Sequence, residues 1–255
     1  SLSPDWESAV KGIVGRPGVT MIIGGVDVGK TTFARHLVNA GVEAGVPTAV
    51  VDADVGQSEV GPPTVIGMAV VERPVGSFRE LRPRRMYFVG STSPVGHLLP
   101  VVVGVKRMTD EALARGARLV VVDTSGLISG IVGRRLKLYK ADLLAPAHVV
   151  GIQKEREIDS ILSALSRIDR HTVHRLEVSA EARAKPRDFR IARRRAQFYE
   201  YFRGAERHIL RLDDIVCWGT LFSTGRPVGW QHYRTLDRLL KVKVLHAEVV
   251  GGGMY

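Results

Sequence analysis

The sequence predicts an α/β fold in which a mostly parallel sheet is flanked by helices. Short apolar runs rich in β-branched residues alternate with helical patterns through the first two-thirds of the chain. This alternation is typical of parallel strands that crossover helices bury on both faces. The 255 residues, 45% of them hydrophobic, suffice for one large domain with a small appendage.

Six apolar runs are predicted strands, and four segments are predicted helices. The strands are expected at Val19–Ile23, Thr48–Val51, Met86–Val89, Leu119–Val122, His148–Ile152 and Val173–Val178. The helices are expected at about residues 30–44, 98–115, 134–144 and 155–167. Four prolines between residues 61 and 85 predict an irregular segment with a short hairpin.

The composition changes after residue 178. An arginine-rich helical stretch is expected at about 179–204, and short strands interrupted by glycine and proline follow from 209. We therefore predict a main domain at 1–208, which includes the arginine-rich helix, and a small β-rich extension at 209–255.

A phosphate-binding motif follows the first predicted strand. The residues from Gly24 to Thr32 read GGVDVGKTT and fulfil the pattern G-x-x-x-x-G-K-[ST] between a strand and a helix. In this pattern backbone amides surround a phosphate, the lysine reaches the β and γ oxygens, and the hydroxyl binds Mg²⁺. The positive end of the following helix faces the same site. The predicted nucleotide contacts here are Gly25, Val26, Asp27, Val28, Gly29, Lys30, Thr31 and Thr32.

Carboxylates follow two further predicted strands. Asp52 and Asp54 end one strand region and Asp123 ends another, so they are expected at the carboxyl edge of the sheet, where ligands bind in open α/β folds. A carboxylate there can hold Mg²⁺ or accept a proton from an attacking hydroxyl. The alternative for Asp52 and Asp54 is that each caps the following turn.

The segment from Asp123 to Gly126 also matches the D-x-x-G of GTPase switches. Guanine specificity usually needs Asn-Lys-x-Asp after a later strand, and here the corresponding residues, 153–156, read QKER. The sequence therefore favours a kinase over a GTPase.

The charge indicates a polyanionic partner. The 37 Lys and Arg residues exceed the 26 Asp and Glu residues, which gives a formal net charge of +11. Nucleic acid is the commonest partner of such a chain, and an arginine-rich solvated surface is the alternative. The single cysteine, Cys217, excludes an intramolecular disulfide. No apolar run approaches the ~20 residues of a membrane span, and no signal peptide is visible. We expect no membrane partner and a cytoplasmic location.

Four ordered motifs within about residues 19–204 resemble those of the P-loop polynucleotide 5′-hydroxyl kinases. This family includes the kinase of the pre-mRNA cleavage factor and the kinases of pre-rRNA processing. The motifs are the phosphate loop, the Asp-x-Gly-Gln element Asp54–Gln57, a clasp at Thr124–Gly130, and an arginine lid running from Asp188 to Gly204. Leu127 stands where many members have tryptophan, and few residues precede the first strand, where eukaryotic members have a domain that helps to hold adenine. The nucleobase preference is therefore open.

The resemblance implies ATP and Mg²⁺ as cofactors and the 5′-hydroxyl end of RNA or DNA as acceptor. It implies that Asp54 activates the hydroxyl and that Arg190 and Arg194 stabilise the transferring phosphoryl group. The expected catalytic residues are thus Lys30, Asp54, Arg190 and Arg194. The expected metal ligands are Thr31, Asp54 and Asp123. Gln57, Thr124, Ser125 and Gly126 are expected at the nucleotide, and Gln57, Glu59, His97 and Arg187 at the acceptor.

Helical geometry supports the lid. Arg187, Arg190 and Arg194 fall within an arc of about 60°, whereas an apolar set lies on the opposite side and is expected to pack: Phe189, Ala192, Ala196 and Tyr199. Planar guanidinium groups suit phosphoryl oxygens better than ammonium groups do. The alternative is a solvated basic helix.

The sequence therefore predicts a Mg²⁺-dependent kinase that transfers the γ-phosphate of ATP to a polynucleotide 5′-hydroxyl. Two other classes stay open. One is a SIMIBI-like GTPase or ATPase switch that regulates a partner, and the other is a non-catalytic nucleic-acid-binding scaffold.

Overall fold

The computed structural model describes residues 3–179, 186–209, 226–244, 247–250 and 253–254. The chain divides into two compact units, Ser1–Arg203 and Gly204–Tyr255, so the first unit ends shortly before the expected boundary at residue 208. Cys217 and the first residues expected for the lid helix, 180–185, lie outside the described residues.

The larger unit is built on a seven-stranded sheet. Its strands are β1 (Val19–Gly24), β2 (Thr48–Ala53), β3 (Val65–Val71), β4 (Arg85–Phe88), β5 (Leu119–Thr124), β6 (His148–Gln153) and β7 (Thr172–Glu177). Their order is β4-β3-β2-β5-β1-β6-β7. The strands β2, β5, β1, β6 and β7 are parallel to one another, and β3 pairs antiparallel with both β2 and β4. The expected mostly parallel sheet is confirmed.

Helices cover both faces of this sheet. The helices of the larger unit are α1 (Pro4–Gly15), α2 (Lys30–Glu43), α3 (Leu98–Ala114), α4 (Gly130–Leu144), α5 (Asp159–Leu165) and α6 (Arg187–Tyr201). Alternate residues of β1 enter two separate cores, because successive strand side chains point to opposite faces. Met21 and Ile23 join the core formed with α3, α4 and α5, whereas Ile22 joins the core formed with α1 and α2.

Two elements of the larger unit were missed by the sequence analysis. The helix α1 buries Trp6, Ala9, Val10 and Ile13, which recur at helical spacing. The strand β3 lies in the segment expected to be irregular with a short hairpin, and six of its seven residues are buried. The four prolines lie on either side of β3 and leave its backbone free to pair.

The smaller unit contains short strands and a helix. Its described elements are β8 (Arg226–Pro227), α7 (Trp230–Leu240), β9 (Glu248–Val250) and β10 (Gly253–Met254). The strands form an antiparallel sheet in the order β10-β9-β8. The expected extension therefore also holds an 11-residue helix that was not predicted. Across the described parts of both units, every helix is too short or too polar to span a bilayer.

Two histidines meet on neighbouring strands, far along the sheet from the strand ends that carry the motifs. Nδ1 of His148 lies 3.2 Å from Nε2 of His174, and Nε2 of His148 lies 2.8 Å from the carbonyl oxygen of Arg16. A carbonyl oxygen only accepts, so Nε2 of His148 carries the proton and its Nδ1 accepts from His174.

Acidification is expected to destabilise the larger unit through His174. Burial, with His148 as a smaller cause, lowers the pKa of His174 below its usual 6.5, so the unfolded chain takes up this proton at a higher pH than the folded chain. The resulting stability is present above pH 6.5 and is lost as the pH falls toward the folded-state pKa, by at most about 1.4 kcal/mol per pH unit.

Urea titrations between about pH 5 and 8 measure this slope. The variant His174→Gln should have a flatter profile than the wild type. His208→Gln is the control, because the His208 imidazole is exposed. Equal slopes in all three proteins would contradict the assignment.

Candidate active site

The carboxyl ends of three neighbouring strands converge on one cleft. β5 lies between β1 and β2, and Asp123 is level with Ile22 on one side and Asp52 on the other. The cleft has a volume of about 340 Å³, at the lower end of the range for ligand pockets, roughly 300–1,000 Å³. Its lining residues are Val26, Asp27, Gly29, Lys30, Thr31, Thr32, Asp52, Asp54, Gln57, Glu59, Asp123, Thr124, Gly126, Arg190 and Arg193.

The phosphate loop turns from β1 into α2 around this cleft. Gly29, the residue before α2, has φ +94°, a left-handed conformation that favours glycine. The Lys30 ammonium folds back and donates to the carbonyl oxygen of Gly25. Burial lowers the pKa of Lys30, against the opposing effect of Asp123 and other carboxylates. The loop therefore presents amides and one buried cation to the cleft, as an anion site requires.

Trp6 supports the loop from beneath. Its indole ring lies so close to Gly29 that a Cβ at that position would be 3.2 Å from the ring. The ring also packs edge-on against Phe33, and its N–H donates to the carbonyl oxygen of Glu177 at 2.9 Å. The ring is 1% exposed, so this tryptophan packs in the interior.

Thr31 and Asp123 form the oxygen pair expected to hold a cation. The Thr31 hydroxyl donates to Oδ2 of Asp123 at 2.6 Å, and Oδ1 of Asp123 is buried with no hydrogen-bond partner among the described residues. Burial raises the pKa of Asp123 to about 6, although Lys30 and Thr31 oppose the shift. Hydroxyl and carboxylate oxygens are the donors that Mg²⁺ prefers, so this pair fits the ion.

No group of three or more His, Cys, Asp or Glu within the described parts of the chain could by itself hold a metal ion. This geometry is compatible with Mg²⁺ at a phosphate loop, because Mg²⁺ usually keeps several waters and binds through one or two protein oxygens plus substrate phosphates.

Asp52 shapes the loop that follows β2. Its Oδ2 accepts from the Ser58 hydroxyl at 3.1 Å and from the amides of Glu59 and Val60, and its Oδ1 accepts from the Asp54 amide at 3.1 Å. Burial raises the pKa of Asp52 to about 7. The observed contacts of Asp52 are therefore those of a residue that caps the following turn, which is the alternative considered for it in the sequence analysis.

Asp54 combines a turn role with access to the cleft. Its Oδ1 accepts from the amides of Gly56 at 3.0 Å and Gln57 at 3.1 Å, and no described residue donates to its Oδ2. Oε1 of Gln57 is likewise buried without a partner among the residues described. Asp54 thus offers one positioned carboxylate oxygen to a hydroxyl that enters the cleft.

The segment Thr124–Gly126 is fixed to the phosphate loop. The Thr124 hydroxyl donates to the carbonyl oxygen of Ile22 at 2.6 Å. A Cβ on Gly126 would come within 2.9 Å of the Val26 amide nitrogen, so only glycine permits this approach. Ser125 does not line the cleft, and its hydroxyl has no partner within the described part of the chain.

A buried lysine holds this segment from below. Lys137, on α4, is completely buried, and its ammonium donates to Thr124 Oγ1 at 2.8 Å and to the carbonyl oxygen of Ser125 at 2.5 Å. Burial places the pKa of Lys137 well below its ordinary value, and the neighbouring Lys140 lowers it further. Lys140 is also buried, and its Nζ has no hydrogen-bond partner among the residues that the structure describes.

The sequence analysis missed both lysines, although the sequence contains a signal for them. They occupy the apolar face of α4, together with Gly133, Leu136, Ala141 and Leu144. A lysine at core spacing on an amphipathic helix is a candidate for a buried functional group.

The arginine-rich helix α6 lies over the cleft through three polar contacts. Arg190 pairs with Asp27 of the phosphate loop at 2.7 Å, and Arg193 pairs with Glu59 at 2.6 Å. Gln197 donates to the carbonyl oxygen of Ser58 at 2.6 Å. The helix is therefore connected to the loops after both β1 and β2.

The structure differs from the expected lid in two ways. Arg193 lines the cleft beside Arg190, whereas Arg194, Arg187 and His97 are not among the lining residues. The expectation that an apolar face of α6 packs is wrong, because no residue of α6 is buried, and Phe189 and Tyr199 are 53% and 73% exposed. Polar contacts rather than a buried face hold this helix.

Among the other expected nucleotide contacts, Gly25 and Val28 do not line the cleft. Gly25 binds the Lys30 ammonium through its carbonyl oxygen, and the Val28 side chain packs in the core formed with α1 and α2. Their predicted backbone contacts with phosphate stay predictions.

The fold and the cleft define a P-loop nucleotide-binding protein. Residues 24–204 match the family model described as mRNA cleavage and polyadenylation factor CLP1 P-loop. The chain belongs to this family.

Curated relatives from archaea are similar over most of this chain. A polyribonucleotide 5′-hydroxyl-kinase of Methanocaldococcus jannaschii is 33% identical over 237 residues, which are 93% of this chain and 64% of the relative. A polyribonucleotide 5′-hydroxyl-kinase of Pyrococcus furiosus is 34% identical over 249 residues, which are 97% of this chain and 69% of the relative. The chain thus spans about two-thirds of the length of these relatives.

A solved structure of the wild-type Clp1p–Pcf11p complex has the same fold. The TM-score is 0.57 at 14% sequence identity, and the match covers 87% of this chain and 54% of the other.

Replacing Lys137 is expected to weaken ATP binding with little change in stability. Lys137→Met removes two hydrogen bonds to the Thr124–Ser125 segment but also removes the desolvation cost of a buried ammonium. We expect the unfolding free energy to change by no more than about 1 kcal/mol and the Kd for ATP to rise about tenfold.

Calorimetric titration and urea unfolding measure the two effects. Lys11→Met is the matched control, because Lys11 is an exposed lysine on α1. Unchanged ATP affinity in Lys137→Met would show that Lys137 does not position the segment.

Proposed function

We propose that this protein is an ATP-dependent polynucleotide 5′-hydroxyl kinase. One observation carries the proposal. The Asp54 carboxylate, whose Oδ2 accepts from no described residue, the Lys30 ammonium and the Arg190 guanidinium all belong to residues that line one cleft. A proton acceptor, a phosphate-binding cation and a planar cation are the groups that phosphoryl transfer to a hydroxyl requires.

The proposed reaction is an in-line displacement at the γ-phosphorus of ATP. The 5′-hydroxyl oxygen forms a bond to this phosphorus as the bond to the β–γ bridging oxygen breaks, and ADP leaves with that oxygen. The hydroxyl proton passes to the carboxylate of Asp54. Lys30 neutralises charge on the β and γ oxygens, and Arg190 stabilises the charge on the transferred group.

Mg²⁺, bound through Thr31, Asp123 and Asp54, would further neutralise the phosphate charge. Gln57 and the Thr124–Gly126 segment position the triphosphate. Arg190 exchanges its Asp27 partner for phosphate oxygens when ATP binds, because phosphate offers the same charge-assisted hydrogen bonds to a guanidinium.

The proposed acceptor is the 5′-hydroxyl end of RNA or DNA. The names of the archaeal relatives support RNA, and the net charge of +11 supports a polyanion. Contacts of Glu59, His97 and Arg187 with the acceptor stay predictions, as does the cytoplasmic location.

Transfer of label from γ-labelled ATP to 5′-hydroxyl RNA and DNA oligonucleotides tests this function. Wild-type protein should label RNA, and Lys30→Ala should abolish the label. Asp54→Asn should lose about 10²–10⁴-fold in kcat, because it removes a general base.

Other outcomes would support the other classes of function. Nucleotide hydrolysis that a protein partner stimulates, without label transfer, would favour a regulatory switch. Salt-dependent oligonucleotide binding without turnover would favour a scaffold.

The lid arginines are tested one at a time by replacement with alanine. We expect Arg190→Ala to lose about 10²–10³-fold in kcat, the magnitude for a group that stabilises transition-state charge. Arg194 lies about 40° from Arg190 around the helix axis and stays a proposed catalytic residue. The activities of Arg193→Ala and Arg194→Ala decide which of these two residues is the second lid arginine. Arg195→Ala is the control, because Arg195 is exposed on the same helix. Activity of Arg190→Ala equal to that of Arg195→Ala would contradict the lid mechanism.

A further inference from the structure

A second cleft adjoins the active-site cleft along α6. Glu59 and Arg193 line both clefts. These two side chains form the 2.6 Å ion pair described above and are only 20% and 12% exposed. The second cleft therefore begins at the point where the acceptor must approach Asp54. The ion pair of Glu59 and Arg193 lies where the two clefts meet.

One wall of the second cleft is a mixed face of α6, formed by Phe189, Ala192, Arg193, Ala196, Gln197, Glu200 and Tyr201. Phe189 and Tyr201 lie near the two ends of this wall and are 53% and 51% exposed, with the small residues Ala192 and Ala196 between them. The two aromatic residues are separated by twelve positions, or about 18 Å of helix, which is enough for a segment of several nucleotides. Aromatic side chains with exposed faces are the usual platforms for stacking of unpaired bases.

The opposite wall carries a cation on a fixed backbone. Arg79 lies in the 3₁₀ turn Phe78–Glu80, which a capping box stabilises. The Ser77 amide donates to the Glu80 carboxylate at 2.8 Å, and the Ser77 hydroxyl accepts from the Arg79 amide at 3.3 Å. An arginine facing an aromatic wall suits the phosphates of a chain whose bases lie against that wall.

We infer that the second cleft binds the single-stranded polynucleotide immediately following its 5′-terminal nucleoside. This inference rests on the proposed kinase function and extends it to the path of the acceptor. The first internucleotide phosphate replaces Glu59 as the partner of Arg193, because a phosphate can accept the same paired N–H donors as a carboxylate. The following bases stack on Phe189 and Tyr201, and Arg79 binds a later phosphate.

A bound peptide is the competing occupant. The lining itself is charge-balanced, because Glu59 and Glu200 accompany Arg79 and Arg193. The shared wall with a phosphate-transfer cleft and the formal charge of +11 favour a polyanion over a peptide. Stacking on aromatic faces also tolerates any base, as an enzyme acting on chain ends of varied sequence requires.

Kinetics with long and short acceptors test the inference. The double variant Phe189→Ala/Tyr201→Ala is compared with the wild type on a 5′-hydroxyl RNA decamer and on a nucleoside 3′-monophosphate. We expect the KM for the decamer to rise at least about 30-fold, the loss expected from removing two base-stacking contacts. The KM for the mononucleotide and the KM for ATP should stay within twofold of wild type, because neither substrate reaches the aromatic wall.

Tyr199→Ala is the matched control. Tyr199 is an aromatic residue of the same helix that is 73% exposed but does not line the second cleft. Its variant should retain the wild-type KM for the decamer. An equal KM for the decamer in the wild type and the double variant would overturn the inference, as would an equal rise in the KM of both acceptors.

Binding of a fluorescent 5′-hydroxyl RNA decamer separates this inference from the proposed function. Weaker binding by the double variant than by Tyr199→Ala supports the cleft even if no protein transfers phosphate, and in that case only the kinase function fails. Transfer by wild type with equal decamer affinity in all three proteins overturns the cleft and leaves the kinase function standing.

Discussion

The compensation of buried charges at the carboxyl edge of β1, β2 and β5 is the constraint on which the rest of the site depends. Burial opposes the charged form of Asp52, Asp123, Lys30 and Lys137 alike, and an uncompensated charge there would cost several kcal/mol (~3–5). Asp123 and Lys137 are stabilised by hydrogen bonds with distant segments, as in the hydrogen bond from Thr31 to Asp123. Asp52 and Lys30 have partners within their own loops. The strand order β2-β5-β1 brings these segments together. The phosphate loop, the Asp54 loop and the clasp segment therefore support one another.

The helix α6 depends on the same balance of charge. Because none of its residues is buried, its position relies on ion pairs with Asp27 and Glu59 rather than on apolar packing. Phosphate groups can compete for the same guanidinium groups. A helix held in this way can respond to ligands at the cleft, whereas a helix held by a buried apolar face would be fixed by packing. Its exposed aromatic residues are then available to bind another ligand, which we propose is the acceptor chain.

The sequence predicted most of the sheet and the phosphate-binding half of the site. Four of the parallel strands, β1, β2, β5 and β6, are buried on both faces, so each appears in the sequence as a largely apolar run. The motif residues lie at the ends of β1, β2 and β5. The strand β3 was missed because prolines surround it. The helix α1 was missed because its role is to pack against the phosphate loop and α2, which are contacts that only the folded chain shows. Arg193 was missed because helical spacing places Arg190, Arg193 and Arg194 on nearly the same side, and only the position of Glu59 selects between the last two.

The sequence by itself determined the fold class, the phosphate loop, and the identities of Lys30, Thr31, Asp54 and Asp123, because local spacing along one strand and its following loop defines these features. Only the tertiary structure decided which charges are paired. The contact of Lys137 with Ser125, the ion pair of Arg193 with Glu59 and the exposure of the apolar face of α6 all depend on what a distant segment places opposite each residue. Periodicity defines the face on which a side chain lies, but it does not define the partner that meets this face.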